Sequence, residues 1–231
     1  MSINFTSEIN VQLIAAAASD RDVAYAAWVS NYTDVLKKDA SDIEGLLRYL
    51  WREQHTSPFE HGMFKTFVEV PISVAREHMR HRTHSYNEMS GRYVEMIPKF
   101  YIPGRDRPLV QQGKVGNYTF TPGSDAQYAI MRTDQEASST FGWERYQNQL
   151  QNGIAREVAR NSLTLNTFTQ YYDTVDPLNM MKFITLRTAP NALHEIQMVG
   201  RKMEEFLEEY MPITYRNFKR YEWKMVDRES A

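Results

Sequence analysis

Apolar positions along this chain recur with two different periods, and stretches of each period alternate. Residues 9–15 (INVQLIA) read as a strand and 21–36 as a helix. A clearer helix follows over 41–54, where Ile43, Leu46, Leu47, Leu50 and Trp51 return every three or four positions. Ser41 and Glu44 have capping-box spacing at its start, and the Ser57-Pro58 pair stops it near His55. From Phe64 to Val70 apolar and polar residues alternate as in a strand, and Pro71 suits the first turn of a short helix running to about Met79. Gly and Pro crowd 103–124, which reads as a long loop and a candidate lid. Helices are predicted over 125–150 and 154–161, a Thr- and aromatic-rich strand over 163–172, and helices over 176–187 and 192–210. In the last helix Leu193, Ile196, Val199, Met203, Phe206 and Tyr210 form an apolar stripe, which fits a core face or a subunit contact better than a ligand site.

These elements add up to a mixed α+β chain, helix-rich and organised as a single domain over 1–231. With 231 residues, 42% hydrophobic and 24% charged, it can bury a sizeable core and is not of disordered composition. There is no internal repeat. The N-terminus lacks a basic segment and reads as a strand rather than a signal peptide, and no apolar run nears the ~20 residues of a membrane span, so a cytoplasmic location is expected. A net charge of −2 excludes bulk attraction to nucleic acid but leaves room for a local basic cleft.

The absence of cysteine narrows the chemistry: disulfides, thiolate metal sites and a cysteine nucleophile are all removed. Against that background the stretch RHRTHSYNEMSGRYVEM, beginning at Arg80, is unusual. It places Arg80, Arg82 and Arg92 among His81, His84, Ser85, Asn87, Glu88, Ser90 and Gly91, a mixture suited to an anion, a metal or nucleic acid. Five of the six histidines fall between His55 and His84. A metal is the weaker reading, because neighbouring arginines repel a dication and no carboxylate has the sequence spacing of a facial triad. Arginines fit an anion better, since a guanidinium fork matches phosphate oxygens in pairs, and Gly91 lets backbone approach closely. Taken singly, Arg76 and Arg105 read as surface cations in ion pairs. Neither a dinucleotide-binding glycine turn nor a P-loop is present, and no nucleophile elbow surrounds Ser90, so Ser90 reads as an anchor. Glu157 and Arg160 have the spacing of a helical salt bridge. Arg187 follows an apolar run, which makes it a partly buried cation in need of a partner.

The blocks also stand in a recognisable order. Arg80-His81-Arg82, seven residues, then Ser90-Gly91-Arg92-Tyr93 resembles the signature of the flavin-dependent thymidylate synthases. The resemblance extends to His55-Thr56-Ser57-Pro58-Phe59-Glu60-His61 upstream, and downstream to Gly153 with Glu157-Val158-Ala159-Arg160 and to the Phe183, Leu186-Arg187 and Glu195-Ile196 segment, covering roughly 50–200. It implies a helix-rich fold around a small, mostly antiparallel sheet. The implied reaction is methylation of dUMP to dTMP, with methylenetetrahydrofolate as carbon donor and NADPH as reductant through FAD. By position, Glu88, Ser90, Gly91, Arg92, Arg160 and Arg187 match dUMP-holding residues, Arg187 lying near the uracil and Ser90 orienting it. His55, Ser57, Arg80, His81, Arg82, Asn87 and Glu88 match flavin-contacting positions. Lys182 stands where the family usually has Asn or His, and Asn191 where it has His, both near the flavin or folate. A homotetramer with sites shared between subunits is implied, with neither nucleic acid nor membrane as partner. The alternative from another class is a nucleotide- or RNA-binding module that uses the arginine cluster and the 13% of aromatic residues without turnover; a histidine-liganded metallohydrolase is the third.

Overall fold

The computed structural model describes residues 2–31, 34–114 and 117–221. Strands β1 (Asn4–Thr6) and β2 (Asn10–Ala17) lead into helices α1 (Asp20–Trp28) and α2 (Ala40–Arg52). Strand β3 (Met63–Pro71), helix α3 (Ile72–His78) and strand β4 (Ser85–Glu88) carry the signature region. Short strands β5 (Lys99–Tyr101), β6 (Val110–Lys114) and β7 (Asn117–Thr121) precede the long helix α4 (Asp125–Gln151). Helix α5 (Arg156–Ala159), strand β8 (Phe168–Val175) and helices α6 (Pro177–Arg187), α7 (His194–Tyr210) and α8 (Pro212–Arg220) complete the order.

The central sheet has the order β2-β3-β8-β4, every neighbouring pair antiparallel, as expected. Among the described residues only the small β1-β5 pair is parallel. Alternation along β3 does what it promised: Phe64, Thr66, Val68 and Val70 are buried, while the residues between them are half-exposed. That face packs on α2, α6 and α7 through Leu47, Leu50, Met180, Ile184, Val199 and Met203. Each fully buried side chain of this size contributes about 1.5–3 kcal/mol. In α7 the buried stripe is Ile196, Val199, Met203 and Leu207, so this face belongs to the chain's own core; Tyr210, expected in the stripe, is 39% exposed.

Four expectations are corrected. Helix α2 starts at Ala40, and its capping box is Asp39 with Asp42 rather than Ser41 with Glu44, because the Asp39 carboxylate accepts from the Ser41 and Asp42 amides. Residues 103–124 contain the β6-β7 hairpin, in register from Val110↔Thr121 to Lys114↔Asn117; 115–116 lie outside the described residues. The helix expected over 21–36 ends at Trp28 and continues as a 3-10 turn to Asn31, with 32–33 outside the described residues. Strand β8 begins only at Phe168, because Thr164 and Asn166 turn their side chains to local bonds: Thr164 Oγ1 donates to Asn166 Oδ1 at 2.5 Å, and Asn166 Nδ2 donates to the Tyr101 carbonyl at 2.9 Å.

Asp20 closes the structure. Its buried carboxylate accepts from the Ile213 amide at 2.8 Å, the Thr214 amide at 2.8 Å and the Thr214 hydroxyl at 2.6 Å, which caps the start of α8 from α1. Asp20→Ala is expected to lower stability by about 2–4 kcal/mol in urea denaturation, and Asp20→Asn by less, because the amide oxygen still accepts. Equal stability of Asp20→Ala and wild type would remove this link from the account.

Candidate active site

The signature loop runs from the end of α3 to the start of β4, and its two ends are the buried parts. His78 closes α3 and His84 precedes β4, and both rings point inward at Asp173 on β8. His84 Nδ1 lies 3.0 Å from Asp173 Oδ1, and His78 Nε2 lies 3.6 Å from Oδ2. On its other side His78 Nδ1 is 2.8 Å from the Tyr171 hydroxyl. The Tyr86 hydroxyl donates to the carbonyls of His78 at 2.8 Å and His81 at 3.3 Å, and the Phe183 ring lies tilted against His78 with centroids 4.6 Å apart. Burial dominates the electrostatics here. It holds His78 well below the usual histidine range, with the nearby histidines and Arg187 adding to the effect. It also raises Asp173, partly offset by the bond from His84. Arg80 and Arg82 stand exposed outside this buried base.

Arg187 enters the same neighbourhood from the end of α6. Its Nε donates to His81 Nε2 at 2.9 Å and its Nη1 to Glu77 Oε2 at 2.9 Å. A guanidinium can only donate, so His81 Nε2 must be bare and its proton must sit on Nδ1. Burial first, then the Arg187 charge, lower the His81 pKa to about 4, so this ring is neutral at neutral pH. The partner expected for a half-buried Arg187 is thus Glu77 together with His81. Lys182 lies half-buried on α6.

A cavity of about 500 Å³ opens on the other side of α3, lined by Arg76, Glu88, Gly91, Met96, Arg160 and Thr169, among others. Glu88 Oε1 accepts from the Thr169 hydroxyl at 2.6 Å. Among the described residues neither Arg76 nor Arg160 has an ion-pair partner. The expected Glu157–Arg160 pair does not form: Glu157 Oε2 instead receives Arg92 Nε at 2.9 Å, with both side chains more than half exposed. Helix α5 has only four residues, so the bond across to Arg92 replaces one along the helix. Ser90 Oγ accepts from the Arg92 amide at 3.3 Å, which shapes the turn. A Cβ at Gly91 would lie 2.9 Å from Met96 Sδ and 3.4 Å from Arg160 Cδ, so a side chain there would displace these two flexible side chains.

One chain therefore gathers the expected residues only in part. His81 meets Arg187; Glu88, Gly91 and Arg160 share a cavity, with Arg92 joined to α5 through Glu157. Asn87 is exposed on β4. His55 is exposed and stacked 5.8 Å from Tyr49, and Ser57 opens the exposed turn after α2. Asn191 lines a different cavity of about 420 Å³ beside the β6-β7 hairpin, with Arg107, Tyr118, Phe120 and His194. Two residues were missed as site residues from sequence: Arg76, read as a surface cation in an ion pair, is exposed but has no ion-pair partner among the described residues, and Asp173 was not considered. Arg76 lines the main cavity; its one signal was its place four residues before Arg80 on a helical pattern. Asp173 supplies the carboxylate that sequence spacing lacked, bringing ligand atoms of His78, His84 and Asp173 within 4.8 Å of one another. Arg105 is the surface ion pair expected of it, with Asp125.

Fold and site together define a mixed α/β protein whose cationic cavity is built around a strand-helix-strand signature. The chain belongs to the flavin-dependent thymidylate synthase family: the pattern of the family described as thymidylate synthase complementing protein matches residues 12–213. It is 43% identical over 227 residues to the flavin-dependent thymidylate synthase of Streptomyces avermitilis, covering 93% of this chain and 92% of that one. To the enzyme of the same name from Thermus thermophilus it is 36% identical over 213 residues, covering 91% and 76%. Among solved structures, the UMP/dUMP methylase PolB from Streptomyces cacaoi, bound with 5-Br UMP, superposes with a TM-score of 0.89 at 38% identity, covering 95% and 97%.

The depressed histidines make a pH prediction. Below pH ~6.5 the unfolded chain takes up protons at His78 and His81 that the fold resists, for His81 down to about pH 4, so stability is full above ~6.5 and is lost as pH falls. The thermal midpoint is expected to drop from pH 7 to pH 5, and His81→Gln to flatten that slope. An unchanged slope in His81→Gln would show that this ring ionises freely in the fold.

Proposed function

We propose that this chain is a FAD-dependent thymidylate synthase that methylates dUMP to dTMP, taking the carbon from methylenetetrahydrofolate and reducing power from NADPH. The observation that carries this is the cavity lined by Arg160, Arg76, Glu88 and Gly91, in which neither arginine has an ion-pair partner among the described residues. Two unpaired guanidiniums in one hollow call for an anion, and a nucleotide phosphate supplies it in bidentate geometry. Arg92 adds a third cation from the neighbouring turn. Arg187, held by Glu77 and His81, is oriented in advance to polarise a uracil carbonyl, which stabilises charge that develops during transfer. Ser90 orients and is not a nucleophile. With no cysteine in the chain, activation of the pyrimidine rests on such electrostatics rather than on a thiolate.

The residues fit a flavin. Arg80 and Arg82 are exposed cations suited to its diphosphate, Asn87 and Ser57 are exposed neutral donors, and His55 and His81 offer rings against a flat ligand. When bound, the flavin supplies the hydride chemistry that the side chains lack. Lys182 and Asn191 complete the proposed flavin and folate contacts. That His55, Ser57 and Asn191 do not line the main cavity supports a homotetramer in which subunits share sites, as do Tyr93, Val158 and Leu165, all more than half exposed in or next to its wall. No described helix is long and apolar enough to cross a membrane, and we place the protein in the cytoplasm as one domain over 1–231. PolB holding a uridine nucleotide makes UMP a second substrate to test beside dUMP.

Purified protein is expected to be yellow and to form dTMP from dUMP, methylenetetrahydrofolate and NADPH. Colourless protein that binds nucleotide without turnover would favour the binding module instead. Arg92→Ala and Arg160→Ala are each expected to weaken dUMP binding by about 1.5–3 kcal/mol in calorimetry, the worth of a charged hydrogen bond; unchanged affinity in both would remove the phosphate from this cavity.

A further inference from the structure

We infer that Asp173 is a positioning residue: one buried carboxylate on β8 clamps both ends of the 79–84 loop, through His78 and His84, and so fixes where Arg80, His81 and Arg82 stand. That these three meet the flavin is the reading proposed above; the clamp itself stands on geometry alone. Asp173 is fully buried, and an ionised carboxylate in the core is costly unless donors meet it. Both donors come from the loop's two ends. His84 Nδ1 at 3.0 Å is in hydrogen-bond contact with Oδ1, and His78 Nε2 faces Oδ2 at 3.6 Å. The two anchors are unequal: the His84 Nδ1 contact is a hydrogen bond, whereas His78, whose Nδ1 meets the Tyr171 hydroxyl, holds Nε2 at ion-pair range of Oδ2, beyond hydrogen-bond reach.

Between these anchors the loop is also tied at His81, whose carbonyl accepts from the Tyr86 hydroxyl and whose Nε2 accepts from Arg187, while Arg80 and Arg82 take no such bond among the described residues. Its backbone bonds are turn-like, from the His81 amide to the His78 carbonyl at 3.0 Å and from the His84 amide to the His81 carbonyl at 3.2 Å. Arg80 and Arg82 are exposed neighbours of like charge that would spread the loop if its ends were free. Asp173 sits where such a load can be borne, on a strand hydrogen-bonded on both edges, in register with Thr66 on β3 and Tyr86 on β4. The same three side chains would also suit a divalent cation. The His84–Asp173 contact at 3.0 Å favours a shared proton, because two ligands about 2.1 Å from one tetrahedral ion stand roughly 3.4 Å apart.

The test is Asp173→Asn in the full chain, followed by hydrogen–deuterium exchange without added flavin, FAD titration and elemental analysis. Exchange over 79–84 is expected to speed up by about tenfold, the factor one charged hydrogen bond is worth, while amides of β2 and α7 keep their rates. A general loss of stability would instead speed all of them alike. FAD affinity is expected to fall by about tenfold as well. Should Asp173→Asn fail to fold, His84→Ala, which cuts one anchor at the loop's outer end, is expected to give the same local acceleration. Unchanged exchange over 79–84 overturns the clamp, as does one equivalent of metal in the wild type that Asp173→Asn loses. Faster loop exchange with unaltered FAD affinity leaves the clamp standing and overturns the assignment of flavin to this loop.

Discussion

The pairing of β3 with β8 is the constraint on which the rest of the molecule turns. It runs without interruption from Phe64↔Val175 to Pro71↔Phe168 and joins two strands separated by about half the chain. A shift of one residue would turn every side chain to the opposite face. Thr66, Val68 and Val70 would leave the core, and Tyr171 and Asp173 would leave the histidines. Because β4 pairs with the other edge of β8, the same register also sets where Glu88 lies relative to Arg160. Core packing and site geometry are therefore one alignment problem.

Charge is distributed with a consistent logic around this frame. Cations whose work is structural are neutralised inside the chain: Lys99 by Glu69 at 2.6 Å, and Arg107 by the buried Glu195 at 3.1 Å, which ties the segment before the hairpin to α7. Arg187 is half-neutralised and aimed by Glu77. Arg76 and Arg160, without ion-pair partners among the described residues, line the same hollow. A protein of net charge −2 thus keeps a local excess of positive charge where a phosphorylated ligand has been proposed.

Much of this was legible in the order of residues, for reasons that differ by element. Helix α2, strand β3 and helix α6 announced themselves because their periodicity is uninterrupted and their buried faces agree with it. The cap of α2 was misplaced because Ser41 and Asp39 are both good capping residues, and the geometry of Asp39 wins. The β6-β7 hairpin was hidden by its polar composition, which mimics a loop. Asp173 could not be found from spacing, because it meets His84 across 89 positions. Arg76 was hidden by being ordinary: nothing marks one exposed arginine until the fold brings a cavity to it. The linear motif supplied the names of the residues, but which of them share a wall is a property of sheet register.

The Asp20 bonds carry a consequence for how the protein is made. A ribosome that delivers about 5–20 residues per second completes α1 early and reaches Thr214, 194 positions later, only after some ten to forty seconds. Throughout that interval the nascent chain carries a carboxylate whose mates have not been synthesised, and α7, which fills the core, also arrives late. Closure of the core therefore waits for α7 and α8, and the apolar face of the sheet stays uncovered until they dock.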